Sequence, residues 1–116
     1  LVERAGEVGK AKLLEPNEID RAASYALTAE MYGFDMLYLE AGSGAEKPVN
    51  PDLIKSARDA TDITLIVGGG IRDGVTAKKV AQAGADWIIT GNLVEEFEDA
   101  SELEKTLLEF ITEMID

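Results

Sequence analysis

Three short stretches of the sequence combine residue types suited to phosphate binding and proton transfer. The first is Tyr38–Gly44, where a tyrosine and the carboxylate of Glu40 lead into a glycine-rich segment. The second is the triple glycine Gly68–Gly70, which runs into a helix start at Asp73, and the third is Gly91–Asn92. Glycine lets main-chain N–H groups approach an anion, and a helix N-terminus adds unpaired donors. The pattern predicts a phosphate site, with a tight turn that binds no ligand as the alternative.

Polar side chains near these glycines suggest further roles. Tyr38 and Glu40 alternate on a predicted strand, so both side chains face the same way. A carboxylate that ends an apolar strand is costly unless it has a polar partner or a task. For Tyr38, a satisfied hydroxyl in the core is an equally good interpretation. Ser43 could donate to a phosphate. Arg72 could pair with a phosphate or with Asp73, but we favour a solvated arginine.

Alternating helices and strands must bring these residues together. Asn17 predicts one helix start, Asn50 with Pro51 a second, and a capping box at Ser101 a third. The predicted helices cover 18–32, 51–59, 74–83 and 102–115, and the predicted strands cover 34–39, 63–67 and 86–90. Residues 8–12 are a candidate edge strand or hairpin arm. Trp87 is expected in the core or an interface, and the last helix is expected to share one apolar face among Leu103, Leu107, Phe110, Ile111 and Met114.

The order of elements predicts a parallel sheet covered by helices. Either a doubly wound sheet or half of a (β/α)₈ barrel satisfies this order. All three strands carry glycines or polar groups at their C-terminal ends, where a barrel builds its site. A dinucleotide-binding sheet would concentrate them after one strand. We therefore predict an α/β fold with half of a (β/α)₈ TIM barrel, in a single domain over residues 1–116.

Composition excludes several function classes. The chain has no histidine and no cysteine, so catalytic triads and common zinc sites are excluded within it, and acid–base work falls to Glu, Asp, Lys or Tyr. The absence of cysteine fits a cytoplasmic protein. A net charge of −12 argues against nucleic-acid binding. A phosphate ligand must then be held by local main-chain donors rather than by a lysine cluster.

The motifs YLEAGSG at 38–44, IVGGGIR at 66–72 and TGN at 90–92 resemble, with these spacings, the geranylgeranylglyceryl phosphate synthase family. Its bacterial relative makes heptaprenylglyceryl phosphate. The resemblance covers nearly the whole chain and implies the C-terminal half of a (β/α)₈ barrel prenyltransferase. Such an enzyme transfers a geranylgeranyl or other polyprenyl group from its diphosphate to the C3 hydroxyl of sn-glycerol 1-phosphate, with Mg²⁺. This reaction forms the first ether bond of archaeal membrane lipids.

The resemblance also assigns site residues. Glu40 would be the catalytic residue that binds the glycerol hydroxyls and accepts a proton. The residues expected to hold sn-glycerol 1-phosphate are Tyr38, Leu39, Glu40, Ala41, Gly42, Ser43, Gly44, Gly69, Gly70, Gly91 and Asn92. The family's magnesium-binding aspartate and neighbouring lysine lie on the first barrel strand, so we expect no metal ligand in this chain.

Two other functions remain open from the sequence. One is a different phosphate-binding barrel, such as an isomerase or synthase of amino-acid or vitamin biosynthesis. The other is a non-catalytic half-barrel that pairs with a partner. An open half-barrel exposes strand edges and apolar surface, so we expect this chain to form a homo-oligomer.

Overall fold

The computed structural model describes residues 14–42, 44–95 and 97–115, which form helices around a parallel sheet. The candidate strand at 8–12 lies outside these residues. In chain order, the elements are α1 (Ile19–Met31), β1 (Met36–Glu40), α2 (Pro51–Ala60), β2 (Thr64–Gly68), α3 (Gly74–Ala83), β3 (Trp87–Ile89), α4 (Gly91–Glu95) and α5 (Ala100–Ile115). No helix among the described residues has both the length and the apolar character needed to cross a membrane.

The three strands pair in sequence order, β1-β2-β3, and all are parallel. Tyr38 lies opposite Ile66, which lies opposite Trp87, while Glu40 lies opposite Gly68 and then Ile89. Parallel neighbours with intervening helices confirm the predicted α/β architecture. The parallel register also places all three strand C-termini along one edge of the sheet.

Local capping explains where several helices begin and end. The Asn50 side chain accepts from the main-chain N–H of Asp52 at 3.0 Å, and Pro51 occupies the first helical position, as predicted. Gly33 follows the end of α1 at φ +82°, in the left-handed region that glycine adopts at low cost.

Two predicted helix starts are wrong. Helix α1 begins after Glu18, whose carboxylate accepts from the main-chain N–H of Glu15 at 2.8 Å, so Asn17 is not the cap. Helix α5 begins at Ala100, one residue before the predicted capping-box serine. There the Asp99 carboxylate accepts from the main-chain N–H of Ser101 at 2.9 Å. At α5 a neighbouring carboxylate thus takes a first-turn main-chain donor, whereas at α1 the donor engaged by Glu18 precedes the helix.

The core lies between one face of the sheet and the helices. Its larger cluster contains Ile54, Val67, Ile71, Ala77 and Val80, and a smaller one contains Ala26, Ala57 and Leu65. Phe110 and Met114 of α5 pack against the larger cluster, as predicted for that helix. Ile111, which was predicted to share this apolar face, is 47% exposed.

The opposite face of the sheet is open. Met36, Tyr38, Trp87 and Ile89 all point to this side and are between 44% and 60% exposed. Trp87 is therefore not a core residue among the described elements, although an interface role remains predicted. In a closed barrel this face would be the interior, so the structure is a partial barrel with its inner wall uncovered.

The N-terminal ends of β2 and β3 are held by Arg58 and Asp86. The Arg58 guanidinium donates to the Asp86 carboxylate at 2.8 Å and to the carbonyls of Thr61 and Ile63 at 2.7 Å. The same carboxylate accepts from the main-chain N–H of Leu65 at 2.9 Å. This Leu65 bond, followed by Arg58, lowers the pKa of Asp86. The network fixes β3 beside β2 at the end away from the strand C-termini.

Candidate active site

A cleft of about 70 Å³ lies where the C-terminal ends of the three strands meet. Tyr38 and Glu40 enter it from β1, Gly69 and Gly70 from the loop after β2, and Gly91 from the end of β3. Three segments that are distant in sequence thus reach one pocket, as the sequence predicted. A larger open groove along the outer face of α5 contains none of the predicted site residues.

Tyr38 and Glu40 form a polar pair over Gly68. A Cβ atom at Gly68 would collide with the Tyr38 hydroxyl and lie 3.1 Å from Oε2 of Glu40. Although Tyr38 is 46% exposed, its hydroxyl end lies against this buried glycine. Burial raises the pKa of Tyr38 to about 12, with a further contribution from hydrogen bonding to the Glu40 carboxylate and from its charge. The Tyr38 hydroxyl therefore keeps its proton at neutral pH.

The other oxygen of Glu40 is fixed by the loop that follows β1. The main-chain N–H of Gly42 donates to Oε1 of Glu40 at 2.8 Å. Gly42 is buried and has φ +108°, and a Cβ on Gly69 would lie 2.7 Å from its main-chain N and O. Side-chain-free backbone at both positions lets the β1 and β2 tips touch. The carboxylate is thereby oriented before any ligand arrives.

The backbone of the triple glycine is tightly enclosed by neighbouring atoms. Gly69 and Gly70 have φ values of +85° and +70°, which disfavour any residue with a Cβ. A Cβ on Gly70 would also collide with the Lys47 carbonyl. These contacts and backbone angles explain why glycine occupies both positions, and without side chains the main chain lines the cleft there.

The N-terminus of α3 differs from the prediction. We expected its first-turn N–H groups to be free for an anion, but two of them already have carboxylate partners. The Asp73 side chain accepts from the Thr76 N–H at 2.7 Å, and this bond lowers the pKa of Asp73. The Glu113 side chain of α5 accepts from the Gly74 N–H at 3.0 Å. Protein carboxylates thus already occupy positions at this helix end that suit an anion.

Arg72 is exposed, as predicted, but it lies in the lining of the cleft. Its guanidinium Nη2 donates to the Gly44 carbonyl at 3.3 Å, which links the loops after β1 and β2. It forms no ion pair with Asp73 or with any other residue in the described ranges.

The remaining predicted site residues differ in how they relate to the cleft. The Leu39 side chain packs into the core, so it can meet a ligand only through its main chain. The Ala41 N–H donates to the Gly68 carbonyl at 3.0 Å. Gly91 begins α4, and apart from its own helix and chain neighbours no atom of the described residues lies within 4 Å of its Cβ position. Asn92 follows it in α4, but its side chain and the whole of Ser43 lie outside the described residues.

Two structural contributors were missed from the sequence. Gly68 was included in the triple glycine, but its role as the floor beneath Tyr38 and Glu40 was not predicted. Its role follows from the parallel register of Glu40 with Gly68, which only the structure reveals. Glu113 lies 39 residues after Gly74, and no local pattern connects the two positions.

Comparison with known proteins decides the family. Residues 2–111 match the PcrB family. The chain belongs to this family. Among curated PcrB-like relatives, it is 50% identical over 90 residues to the geranylgeranylglyceryl phosphate synthase of Thermoplasma volcanium, covering 78% of this chain and 36% of that protein. It is 52% identical over 95 residues to the synthase of Methanococcoides burtonii, covering 81% of this chain and 38% of that protein.

A solved structure extends the comparison to the fold. The (S)-3-O-geranylgeranylglyceryl phosphate synthase of Thermoplasma acidophilum, in complex with its substrate sn-glycerol-1-phosphate, is 39% identical with a TM-score of 0.85. The alignment covers 95% of this chain and 43% of that structure. The PcrB chain described here thus spans less than half the length of the relatives it matches.

Proposed function

We propose that this chain forms the glycerol-phosphate-binding half of a geranylgeranylglyceryl phosphate synthase. The observation that carries the proposal is the oriented pair of Tyr38 and Glu40, which shares one cleft with Gly69, Gly70 and Gly91. The relative crystallised with sn-glycerol-1-phosphate supports this choice of ligand. The enzyme would act in ether-lipid biosynthesis, in the cytoplasm.

The chemistry assigned to Glu40 follows from its position. In the proposed transfer, the C3 hydroxyl oxygen of sn-glycerol 1-phosphate forms a bond to C1 of the polyprenyl diphosphate, and the bond from C1 to the diphosphate oxygen breaks. Pyrophosphate leaves with the bonding electron pair, and the hydroxyl proton passes to the Glu40 carboxylate. Because Gly42 holds Oε1, the remaining oxygen can bind and orient the hydroxyl. Tyr38 would stay protonated and donate to Glu40 or to the substrate.

The phosphate of the substrate would be held by main-chain groups of the three loops. Enclosed backbone at Gly69 and Gly70, with Gly44 and Gly91 across the cleft, suits an anion that approaches close to the main chain. Ser43 and Asn92 keep their predicted roles in this loop cluster, as do the main-chain groups of Leu39, Ala41 and Gly42.

Magnesium and the polyprenyl diphosphate are assigned to no residue of this chain. The described residues contain no group of three or more Asp or Glu side chains arranged to hold a metal ion. They do not fit a magnesium site, and we derive no step through the metal. Its participation remains a prediction from the family resemblance.

The open sheet face supports the prediction of a partner subunit or barrel segment. Trp87 is 60% exposed and Met36 is 53% exposed, and exposed apolar surface of this kind favours association. A homo-oligomer is the form we propose.

Titration calorimetry with sn-glycerol 1-phosphate and with its sn-3 isomer tests the function. We expect the sn-1 isomer to bind at least about tenfold more tightly, because the wrong isomer leaves the polar pair at Glu40 without its hydroxyl partner. Equal affinities would contradict the proposal. Prenyl transfer can be measured in a chimera in which this chain replaces the matching segment of the Thermoplasma volcanium synthase.

A further inference from the structure

Arg72 occupies a position at which a side chain can serve both loops of the cleft. The preceding residue, Ile71, is only 4% exposed and is anchored in the larger core cluster. The chain then turns outward, and Arg72 enters the cleft lining beside Gly70. Because Ile71 is buried, the backbone at Arg72 is held in place, and only the Arg72 side chain is free to move.

The contact with Gly44 leaves most of the guanidinium's donors available. Nη2 donates to the Gly44 carbonyl at 3.3 Å across a separation of 28 residues. A guanidinium carries five N–H donors in a planar fork that matches phosphate oxygens. One edge can therefore hold the loop after β1 while another meets an anion in the cleft.

The distribution of charge in the cleft also indicates that Arg72 is the side chain available to bind an anion. Among the described residues that line it, Arg72 is the single cation and Glu40 the single anion. Arg72 forms no ion pair within the described ranges, and Asp73 directs its carboxylate to the Thr76 N–H instead. The N-terminus of α3 cannot supply the missing positive potential in full, because Glu113 and Asp73 already occupy it.

We infer that Arg72 is a phosphate-binding residue, which contacts the phosphate of sn-glycerol 1-phosphate while it clasps the loop at Gly44. This inference rests on the proposed function for the identity of the ligand. It assigns the electrostatic part of phosphate recognition to a side chain, in a protein whose net charge of −12 otherwise repels the substrate.

The test compares Arg72→Gln and Arg72→Lys with Lys79→Gln, which removes an exposed cation from α3 that does not line the cleft. Calorimetry would measure binding of sn-glycerol 1-phosphate, its sn-3 isomer and inorganic phosphate at two ionic strengths. We expect Arg72→Gln to weaken sn-glycerol 1-phosphate about 10- to 100-fold, as for loss of a charge-assisted hydrogen bond. Arg72→Lys should recover part of this affinity, and Lys79→Gln should stay within about twofold because this exposed charge lies outside the cleft lining and is screened by solvent.

The dependence of affinity on ionic strength distinguishes direct phosphate binding by Arg72 from a role limited to its hydrogen bond with Gly44. If Arg72 contacts the phosphate, Arg72→Gln should flatten the salt dependence of binding as well as weaken it. An affinity within about twofold of the unaltered protein, or an unchanged salt dependence, would overturn the inference. If the unaltered protein binds both isomers equally and Arg72→Gln weakens both, the proposed function fails while Arg72 remains a phosphate ligand. Absence of binding to all three ligands by the unaltered protein would refute both proposals.

Discussion

The main-chain N–H of Gly74, in the first turn of α3, donates to the side chain of Glu113 in α5 at 3.0 Å. The two helices also touch at this point, because a Cβ on Gly74 would collide with the Phe110 carbonyl. We expect Glu113→Ala to lower the free energy of unfolding by about 1 kcal/mol, since the Gly74 donor loses a charged partner. Urea unfolding at neutral pH measures this loss.

Glu109→Ala is the matched control for Glu113. Glu109 is a neighbouring acid on the same helix, in an exposed pair with Lys105 at 3.9 Å, and such pairs add little stability. Equal unfolding free energies for the two variants would show that the contact with Gly74 contributes nothing.

Gly68→Ala is expected to disable the site while the helix-facing core remains intact. The added methyl group would enter the space of the Tyr38 hydroxyl and approach the Glu40 carboxylate. A displacement of about 1 Å in a catalytic group can cost on the order of 100-fold in rate. Prenyl transfer by the chimera measures the effect. Gly33→Asn serves as the control, because its Cβ position is open and asparagine tolerates the left-handed backbone.

The Tyr38 hydroxyl should titrate at about pH 12, against an ordinary value of 10.0. A variant with Tyr25→Phe and Tyr32→Phe leaves Tyr38 as the one tyrosine of the chain, so tyrosinate absorbance reports it directly. Because the folded state keeps the proton longer than the unfolded state, this group's stabilising contribution is lost as pH rises from about 10 toward 12.

Glu40→Gln, introduced into the same tyrosine variant, should lower the pKa of Tyr38. Burial remains the larger cause of the shift, but the hydrogen bond to a carboxylate and its negative charge are removed. An unchanged titration curve would mean that the two side chains do not interact in solution.

Glu40→Gln should also lower turnover more than it weakens phosphate binding. The amide oxygen can still accept from the Gly42 N–H, but it cannot take the substrate proton, and loss of a general base typically costs 10²–10⁴-fold. The chimera's turnover and its affinity for sn-glycerol 1-phosphate are compared with those of Glu46→Gln, an exposed acid in the same loop. Unchanged turnover would remove Glu40 from the mechanism.

Asp86→Asn should destabilise the fold in a pH-dependent way. The carboxylate accepts from Leu65 and Arg58, and its pKa is lowered from 3.8. Its contribution is therefore present above about pH 4 and is lost as pH falls through the lower folded-state value. Since the side chain is 46% exposed, we expect about 1 kcal/mol at pH 7. Asp59→Asn, in an exposed pair with Lys55, should change stability less, and the difference between the two variants should vanish in strong acid.

The sequence predicted the elements and the meeting of the strand tips because periodicity, glycines and caps are local signals. The start of α5 was placed late because the sequence pattern favoured Ser101 as the cap, whereas Asp99 accepts from the Ser101 N–H. The occupied N-terminus of α3 was not predicted, since Glu113 reaches it only after α5 packs on the sheet. The place of Arg72 in the cleft likewise depends on how two distant loops meet.

Successive side chains along β1 point to opposite faces of the sheet, so substitutions on the two faces affect different properties of the protein. Leu39 belongs to the helix-facing core, whereas Glu40, one step later, belongs to the cleft. Ile89, which lies opposite Gly68 on the open face and lines the cleft, can therefore be substituted to reshape the cleft without loosening the helices. If the proposed function holds, this position allows a bulkier ligand to be accommodated at little cost in stability.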